Sequence, residues 1–553
     1  MELAARTLRG IGRRVAAMAA AAAMSLTVTA CAFGPSPSPS TSSPAAVDGQ
    51  SSAAAGTPTP TADAKPGSVA IFTPSDGITL SQNTPTNKWA ALTKDIQQAL
   101  NDGQGASQSV ATTKPEIKTT SSSDLAAQSR AVQDYVVSRL SADNKDDGAT
   151  TIIVAPVANP DATTRQYGDY VRQDVTWNAN ASTDESDEDR TRRESGERLA
   201  DALTLARDSG MHVVLVSNQL QGFTPDLFVA FASPREIGRI QAQQLVRKLE
   251  LDRTSADNPK YIEVLLPWAE KRKDGTEADS TFVSEAFAGI WEVLGPYFQN
   301  GKATSPSRIL GPSSTEDSWQ SVTFDPSQSD GTKIELAERL GTGNGQSSKI
   351  HRIDGVLAMN DYVAAQTVSA LEDMGYTGSS ADINPEISIS DIVGSFAGKV
   401  DLQRGAVPDP IKAPSTTEPT ASPSAGSGIT LPFGNGGSST SADASDDPSW
   451  PIITGYGAYV DAIPQIVNGK QWMTALGNRK DTATLLAKAV ASLNAGTGLD
   501  GLDGVSPVAY GSQATGNEAD VPTIAKDQLP VAASNLKSIL IDPGYITPAD
   551  AGL

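Results

Sequence analysis

Short apolar runs that alternate with amphipathic helix patterns constrain the fold of this 553-residue chain more than any other feature. Apolar and β-branched runs predict strands at residues 68–73, 150–155, 211–216, 227–231, 261–266, 353–357 and 451–454. A 3.6-residue period predicts helices between them, at 89–100, 123–140, 193–209, 235–249, 282–297, 361–374 and 481–493. Such alternation predicts an α/β protein built of βαβ units, with helices on both faces of parallel sheets. Because the chain is too long for one hydrophobic core, we expect two lobes.

The N-terminal residues predict export and attachment to a lipid. Four arginines precede an apolar run at residues 15–23, and small residues then lead to Cys31, the single cysteine of the chain. This order is typical of a lipoprotein signal peptide, here residues 1–31, that is cleaved before a lipidated cysteine. The alternative, an ordinary exported protein with an incidental cysteine, leaves the position of Cys31 unexplained.

Three further segments interrupt the α/β pattern. Residues 32–67 are rich in Ser, Pro, Thr, Ala and Gly, which predicts a disordered tether between the lipid and the folded protein. Residues 161–189 are polar, and their acidic end at 184–189 predicts a solvated surface loop. Residues 400–449 are of low complexity and predict a disordered insertion. We therefore expect a folded body held on the extracellular face of the cell membrane.

The composition argues against several functions. A net charge of −21 disfavours nucleic acids and anionic membrane surfaces as partners. The two histidines, His212 and His351, have no metal-ligand spacing, so no metal or other cofactor is expected. Neither a Gly-x-Ser-x-Gly sequence nor a phosphate loop is found, and we do not expect an enzyme. A hydrolase that uses paired carboxylates, such as Glu263 and Glu270, is the alternative.

Several stretches resemble the type I periplasmic sugar-binding proteins of ABC importers, in the xylose and multiple-sugar-binding family. They are residues 215–220, 227–242, 286–302, 324–326, 354–371, 452–474 and 535–545. Each stretch is short, but together they follow the order of the family across residues 68–553. The resemblance implies a lipoprotein form of this family, with a fold of two doubly wound parallel-sheet lobes joined by a three-segment hinge.

The resemblance also implies how the chain is divided and what it does. Residues 68–233 and 474–534 would form the N-terminal lobe, residues 234–473 the C-terminal lobe, and residues 535–553 a C-terminal tail. A carbohydrate would bind in the interlobe cleft as the hinge closes, and the protein, as a monomer, would deliver it to an ABC permease.

Seven residues are candidate ligand contacts: the resemblance places six at positions where the family contacts its ligand, and Tyr456 lies beside another, which aligns with Gly457. The seven are Lys88, Trp89, Asn218, Gln219, Asn360, Asp361 and Tyr456. This chain departs from the family at several of them, since Lys88 replaces an arginine and Asn218-Gln219 replaces an Asp-Arg pair. Two interpretations remain open: a working cleft retuned to another sugar, or an eroded pocket that keeps the fold without useful sugar affinity.

Each candidate also has a purely structural interpretation. Trp89 fits the core stripe of the first helix, and Asn360-Asp361 fits the N-cap of the helix that follows. A second functional hypothesis follows from the eroded-pocket interpretation and from the insertion at 400–449. In that case the protein is a sensor or scaffold lipoprotein that uses the same fold to bind a membrane partner.

Overall fold

The computed structural model describes residues 67–77, 85–102, 114–141, 148–158, 164–178, 186–271, 278–341, 351–380, 449–511 and 519–553. The predicted signal peptide with Cys31, the predicted tether up to residue 66 and the predicted insertion up to residue 448 lie outside the described residues. No helix among the described residues is long and apolar enough to cross a bilayer.

Seven strands form the first sheet. They are β1 (Ser68–Pro74), β2 (Glu116–Thr120), β3 (Thr150–Val154), β4 (His212–Val216), β5 (Leu227–Ala230), β12 (Ser506–Tyr510) and β13 (Ala519–Ala525). Their order is β12-β13-β5-β4-β3-β1-β2. Every neighbouring pair is parallel except β12 and β13, which are antiparallel.

The second sheet has the same mixed, mainly parallel character. Its strands are β6 (Lys260–Pro267), β7 (Ala303–Thr304), β8 (Thr323–Phe324), β9 (Gly355–Ala358), β10 (Ile452–Thr454), β11 (Met473–Leu476) and β14 (Leu529–Ala532). The order is β14-β11-β10-β9-β6-β7, with β8 beside β6. Only β14 runs antiparallel, against β11.

Nine α-helices cover the two sheets in the described parts of the chain. They are α1 (Trp89–Asp102), α2 (Leu125–Ser141), α3 (Asp187–Asp208), α4 (Pro234–Lys248), α5 (Thr281–Gln299), α6 (Gly331–Arg339), α7 (Asp361–Asp373), α8 (Ile463–Val467) and α9 (Arg479–Asn494). Local signals fix several of their starts. At α4, for example, Ser233 and Glu236 form a reciprocal capping box, and Pro234 takes the first helical position.

The central strands of each sheet are buried on both faces, whereas the edge strands β2 and β12 are largely exposed. In β1, Val69 and Ile71 join one core together with α1 and α9, whereas Ala70 and Phe72 join the opposite core together with α2 and α3. A strand buried on both faces reads as a continuous apolar run, which is why these strands were visible in the sequence. The second sheet is covered in the same way, by α4 and α5 on one face and by α6 and α7 on the other. The predicted α/β class with two doubly wound lobes is confirmed.

Three short crossings join the lobes within the described residues, at 231–233, 477–478 and 526–528. The observed division differs from the one implied by the resemblance, because strands β11 and β14 pair with each other in the second sheet. Residues 474–476 and 529–532 therefore belong to the second lobe, and residues 536–553 pack against it beside α8.

Helices α4 and α5 cross so closely that glycine is needed at their contact. A Cβ atom on Gly289 would overlap the carbonyl oxygen of Arg235, and one on Gly238 would overlap that of Ala286. We expect Gly289→Ala to lower the free energy of unfolding by about 1–3 kcal/mol, because the helices must separate. Urea denaturation would measure this change. Gly311→Ala, which places its methyl group in open space, is the control; equal effects of the two substitutions would contradict the close crossing.

Candidate functional site

The carboxyl ends of parallel strands from both lobes face one crevice. In the first lobe, Pro156 follows β3 and Asn218 follows β4; in the second, Asn360 follows β9 and Tyr456 follows β10. The walls touch where the backbone N–H of Thr86 donates to the carbonyl oxygen of Gly457 at 3.2 Å. The carboxyl edge of an open α/β sheet is where such proteins bind ligands, so this crevice is the candidate site.

A stretch of the chain itself lies in this crevice. Residues 164–178, which we call the cleft segment, lie between β3 and α3, and their Tyr167 and Tyr170 side chains are only 2% and 1% exposed. Val171 and Val175 are also buried. Within the acidic end of the predicted surface loop, residues 186–189 are exposed as expected, but they do not form a loop: Ser186 caps α3, which begins at Asp187.

Tyr170 attaches the cleft segment to the first lobe. Its hydroxyl donates to Asn87 Oδ1 at 3.0 Å, and its backbone oxygen accepts from Ser217 Oγ at 2.8 Å. Its ring packs against Phe231 and edge-on against Trp89, with centroids 4.5 and 5.7 Å away. Burial of a tyrosine with its hydroxyl satisfied makes this contact both apolar and specific.

Asp169 and Gly168 bring the backbone of the segment close to the same wall. The carboxylate of Asp169 accepts from the backbone N–H groups of Gly77 at 2.9 Å and Trp89 at 3.3 Å. Gly168 has a φ of +106°, and a Cβ atom there would lie 2.5 Å from Asn87 Cβ. Glycine is therefore required for both the backbone conformation and the close approach.

The other side of the segment contacts the second lobe. Gln166 receives a hydrogen bond on its backbone oxygen from the Tyr459 hydroxyl at 2.5 Å and one on its side-chain oxygen from Asn360 Nδ2 at 3.2 Å. The ring of Tyr167 lies 4.7 Å from that of Phe282 and 6.5 Å from that of Tyr456. The segment thus contacts both walls within a few residues.

Between the cleft segment and the first lobe, the described residues leave one small cavity. The cavity left beside Trp89, Asp169, Gln173 and Asn218 has a volume of about 20 Å³. That is room for about one water molecule, whereas pockets for small organic ligands have volumes of roughly 300–1,000 Å³. In this conformation the cavity is too small for a sugar.

The side chains of four of the seven predicted site residues contact the cleft segment. Trp89 and Tyr456 pack against its tyrosines as described, and Asn218 Oδ1 accepts from the backbone N–H of Gln173 at 2.8 Å. Asn360 caps α7 by accepting from the N–H of Val363 at 2.9 Å, and it also holds Gln166. For Asn360 the capping interpretation and the contact in the crevice are both correct.

The remaining three predicted residues lie in different surroundings. Lys88 is half-buried, and its charge partly opposes the rise that burial causes in the pKa of the neighbouring Asp169. The side chain of Gln219 is turned away, since its oxygen accepts from the N–H of Gly511 at 3.2 Å, beyond the end of β12. The backbone of Gln219 still holds the cleft segment: its N–H donates to Asp174 Oδ1 at 3.1 Å, and its oxygen accepts from the N–H of Val175 at 2.8 Å. Asp361 is buried behind the second wall and bonded within that lobe. Whether any of the seven contacts a solute stays a prediction.

Asp361 organises the second wall from behind. Its carboxylate accepts from Gln471 Nε2 at 2.7 Å, from Thr474 Oγ1 at 2.8 Å and from the N–H of Tyr459 at 2.9 Å. Burial raises the pKa of Asp361 to about 6, although these hydrogen bonds oppose the shift. The residue therefore positions Tyr459, which in turn holds Gln166.

Two non-glycine residues adopt left-handed backbone conformations at the crevice. They are Ser217, with φ of 67°, and Ala458, with φ of 47°. Each is held by a side-chain hydrogen bond: Ser217 Oγ donates to the backbone of Tyr170, and the N–H of Ala458 donates to Thr474 Oγ1 at 3.1 Å. Strained backbone of this kind is concentrated at binding sites in proteins, which supports the crevice as the functional site.

The chemistry available in the crevice is that of binding. The walls present amide groups, hydroxyls and aromatic rings, which recognise small polar molecules by hydrogen bonding and stacking. Among the described residues, no group of three or more His, Cys, Asp and Glu side chains lies close enough to hold a metal ion.

Sequence reasoning missed the residues that fill the crevice. Asn87, Gln166, Tyr167, Asp169 and Tyr170 were not among the candidates, because the surrounding stretch is polar and lies outside the strand and helix pattern. A signal was available. Large apolar residues recur from Tyr167 to Trp177, and a solvated loop has no use for them.

Asp169 is expected to make stability depend on pH. Burial raises its pKa to about 7, above the value near 3.9 of an unfolded chain. Because the folded state then holds the proton more tightly, the contribution of Asp169 to stability is complete below about pH 4 and is lost as the pH rises to about 7. Because one proton is involved, the free energy of unfolding changes by at most about 1.4 kcal/mol per pH unit.

The substitution Asp169→Asn should remove that slope. We expect the melting temperature of the wild type to fall more steeply than that of the variant between about pH 5 and about pH 7.5. Asp134→Asn, an exposed position on α2, is the control for a general effect of charge. Parallel pH profiles for wild type and Asp169→Asn would show that Asp169 does not titrate in this range.

No family model matches the chain, and no curated protein matches it. Solved structures of low identity do. An ABC transporter solute-binding protein from Clostridium phytofermentans with bound β-D-glucose is 14% identical, over 88% of this chain and 99% of that chain, with a TM-score of 0.45. A carbohydrate transporter solute-binding protein from Chloroflexus aurantiacus in complex with D-glucose is 17% identical, over 87% and 97%, with a TM-score of 0.43.

A periplasmic ribose ABC transporter protein from Conexibacter woesei is 11% identical, over 86% of this chain and 95% of that chain, with a TM-score of 0.42. At TM-scores below 0.5, these likenesses assign neither a ligand nor an activity to this chain. What the chain itself shows is a two-lobed α/β protein with a crevice between the carboxyl ends of its two sheets.

Proposed function

We propose that this protein is a lipid-anchored solute-binding protein outside the cytoplasm, which captures a sugar or sugar-like ligand between its lobes and delivers it to an ABC permease. The observation that carries this proposal is the crevice, where Asn218 from one lobe and Asn360 and Tyr456 from the other all contact the same cleft segment. Affinity would come from closure of the lobes over the solute, and no covalent chemistry is involved.

The wall groups suit a polyhydroxylated molecule. Asn218 and Asn360 now bond to peptide and amide groups of the cleft segment, at 2.8 and 3.2 Å. Amides of this kind both donate and accept, as the hydroxyls of a sugar require. Aromatic rings of Trp89, Phe282 and Tyr456 on the two walls supply faces for the C–H patches of a sugar ring.

Sugar binding should raise the thermal stability of the full-length chain. With a carbohydrate panel, we expect one class of sugar to raise the melting temperature; a ligand at about a thousand times its dissociation constant adds about 4 kcal/mol. Lys88→Ala, which removes a predicted contact just before α1, should weaken this binding about fivefold or more, whereas Lys94→Ala, on the exposed face of α1, should not change it. If no carbohydrate shifts the melting temperature of any form of the protein, the proposal is wrong.

The anchor is tested separately. Lipidated protein should sediment with membranes, and Cys31→Ser should move it to the soluble fraction without changing its melting temperature. Sedimentation that does not depend on Cys31 would contradict the lipid anchor. The net charge of −21 makes adhesion to anionic lipid a poor alternative explanation for sedimentation.

A second function is favoured by one observation, the small volume of the remaining cavity. If the cleft segment never leaves, the protein is a sensor or scaffold that presents a fixed surface to a membrane partner. In that case sugars leave the melting temperature unchanged, and association with the permease does not respond to sugar. An association that strengthens with sugar would exclude this second function.

A further inference from the structure

We propose that the cleft segment is an internal ligand, which occupies the solute site and holds the two lobes closed when no solute is bound. This rests on the proposed function in one respect, the identity of the crevice as the solute site. The closure itself requires no sugar and can be tested without one.

The first argument is that the segment bridges the walls. Gln166 is bonded to Asn360 and Tyr459 of the second lobe, while Tyr170, four positions later, is bonded to Asn87 of the first. A solute that stabilises a closed two-lobed protein works in the same way, because it contacts both walls only when they are together. The segment is covalently part of the first lobe, so its contacts with the second lobe are the ones that favour closure.

The second argument is exclusion. The segment uses the hydrogen-bonding groups of Asn218 and Asn360 and covers the rings of Trp89 and Tyr456. The cavity of about 20 Å³ between it and the first-lobe residues Trp89 and Asn218 is too small to take a solute as well. The segment and a sugar are therefore alternative occupants of one site.

The third argument is the place of the segment in the chain. It lies between β3 and α3, at the carboxyl edge of the first sheet, where a longer strand-to-helix connection emerges directly into the crevice. Its fit is specific, since Gly168 lies against Asn87 in a conformation and at a distance that only glycine permits. Accidental collapse of a polar loop does not require such a fit.

Gly168→Ala tests the inference without altering either wall. The added methyl group would lie 2.5 Å from Asn87 Cβ, at a φ of +106°. Gly210→Ala is the matched control, because Gly210 also has a positive φ of +85° but no atom within 4 Å of the added methyl group. A milder second variant, Tyr459→Phe, removes only the hydrogen bond to the oxygen of Gln166.

Two measurements on the full-length chain without sugar decide the matter. Backbone amide exchange should be slow at residues 166–175 in the wild type and in Gly210→Ala, and at least tenfold faster in Gly168→Ala, with a smaller increase in Tyr459→Phe. Small-angle X-ray scattering should show a larger radius of gyration for Gly168→Ala, as its lobes open. Fast exchange at 166–175 in the wild type, or unchanged exchange and radius in both variants, would overturn the inference.

Adding the sugar panel separates the two proposals. If Gly168→Ala binds a sugar at least tenfold more tightly than the wild type, both stand, because the internal competitor has been removed. If the wild type binds sugar while residues 166–175 stay protected, the internal ligand is wrong and the proposed function stands. If the variant opens but no form binds sugar, the internal ligand stands and the sugar-binding function is wrong.

Discussion

Replacing Asp361 by alanine should destabilise the protein by about 3 kcal/mol, because three buried donors lose their acceptor at once. These donors are the side chains of Gln471 and Thr474 and the backbone N–H of Tyr459. The loss should be larger at about pH 5 than at about pH 7.5. Burial raises the pKa of Asp361 to about 6, so the contribution of its carboxyl group to stability falls as the pH rises from about 4 to about 6.

Urea denaturation of Asp361→Ala at the two pH values measures this effect. Asp373→Ala is the control on the same helix, since Asp373 is exposed and pairs with Lys333 at 3.3 Å. A surface ion pair of this kind is worth less than about 1 kcal/mol. If Asp361→Ala costs no more than Asp373→Ala, the buried network does not support the second wall.

Replacing Tyr170 by alanine should cost about 3–5 kcal/mol, the range for a large buried aromatic side chain. The ring loses its packing against Trp89 and Phe231, and Asn87 loses the hydroxyl donor. Because this residue fastens the cleft segment to the first lobe, the environment of Trp89 should change as well, which its fluorescence can report.

Tyr170→Phe is the matched variant, since it keeps the ring and removes only the hydroxyl. It should cost about 1 kcal/mol, the typical value of one hydrogen bond. Chemical denaturation of both variants separates the packing contribution from that of the hydrogen bond. A small and equal effect of the two substitutions would mean that the ring of Tyr170 is not held in the crevice in solution.

Seven strands could be recognised in the sequence because they are buried on both faces: β1, β3, β4, β5, β6, β9 and β10. The exposed edge strands β2 and β12 could not. Val69 to Phe72 is apolar at every position, as both cores require, and such runs stand out beside helices with a 3.6-residue period. The N-cap at Asn360 could be predicted because it depends only on nearby residues: a short polar side chain before a helix accepts a hydrogen bond from the N–H three residues later.

What the sequence did not reveal depends on contacts between distant residues. Strands β11 and β14 are short, and their place in the second sheet follows from pairing with each other and of β11 with β10, so the lobe boundary could not be read from chain order. The start of α3 was predicted at residue 193, because the acidic residues at its first turn resemble a loop although they suit a helix N-terminus.

The residues that surround the cleft segment could not be predicted either, because they are distant from it in the sequence. Nothing local to Tyr167 or Tyr170 indicates that Phe282, Tyr456 or Asn87 will surround them. The wall residues alone allow two interpretations of the diverged site: a cleft retuned to another sugar, or a pocket that has lost its affinity for sugars. The structure adds a third factor: the cleft segment of the chain itself fills the site, which the wall residues alone do not indicate.

Because the cleft segment and the site that it occupies are on the same chain, a competing solute must exceed a certain concentration to displace it. Tethering gives a segment an effective local concentration on the order of millimolar or more, irrespective of how dilute the protein is. A free molecule that competes for the same walls must reach this concentration if it binds them as tightly as the segment does, and a proportionally lower one if it binds more tightly. If the crevice is the solute site, the connection between β3 and α3 would thus set a threshold concentration. Below it the cleft segment would keep the site, and above it the solute would displace the segment.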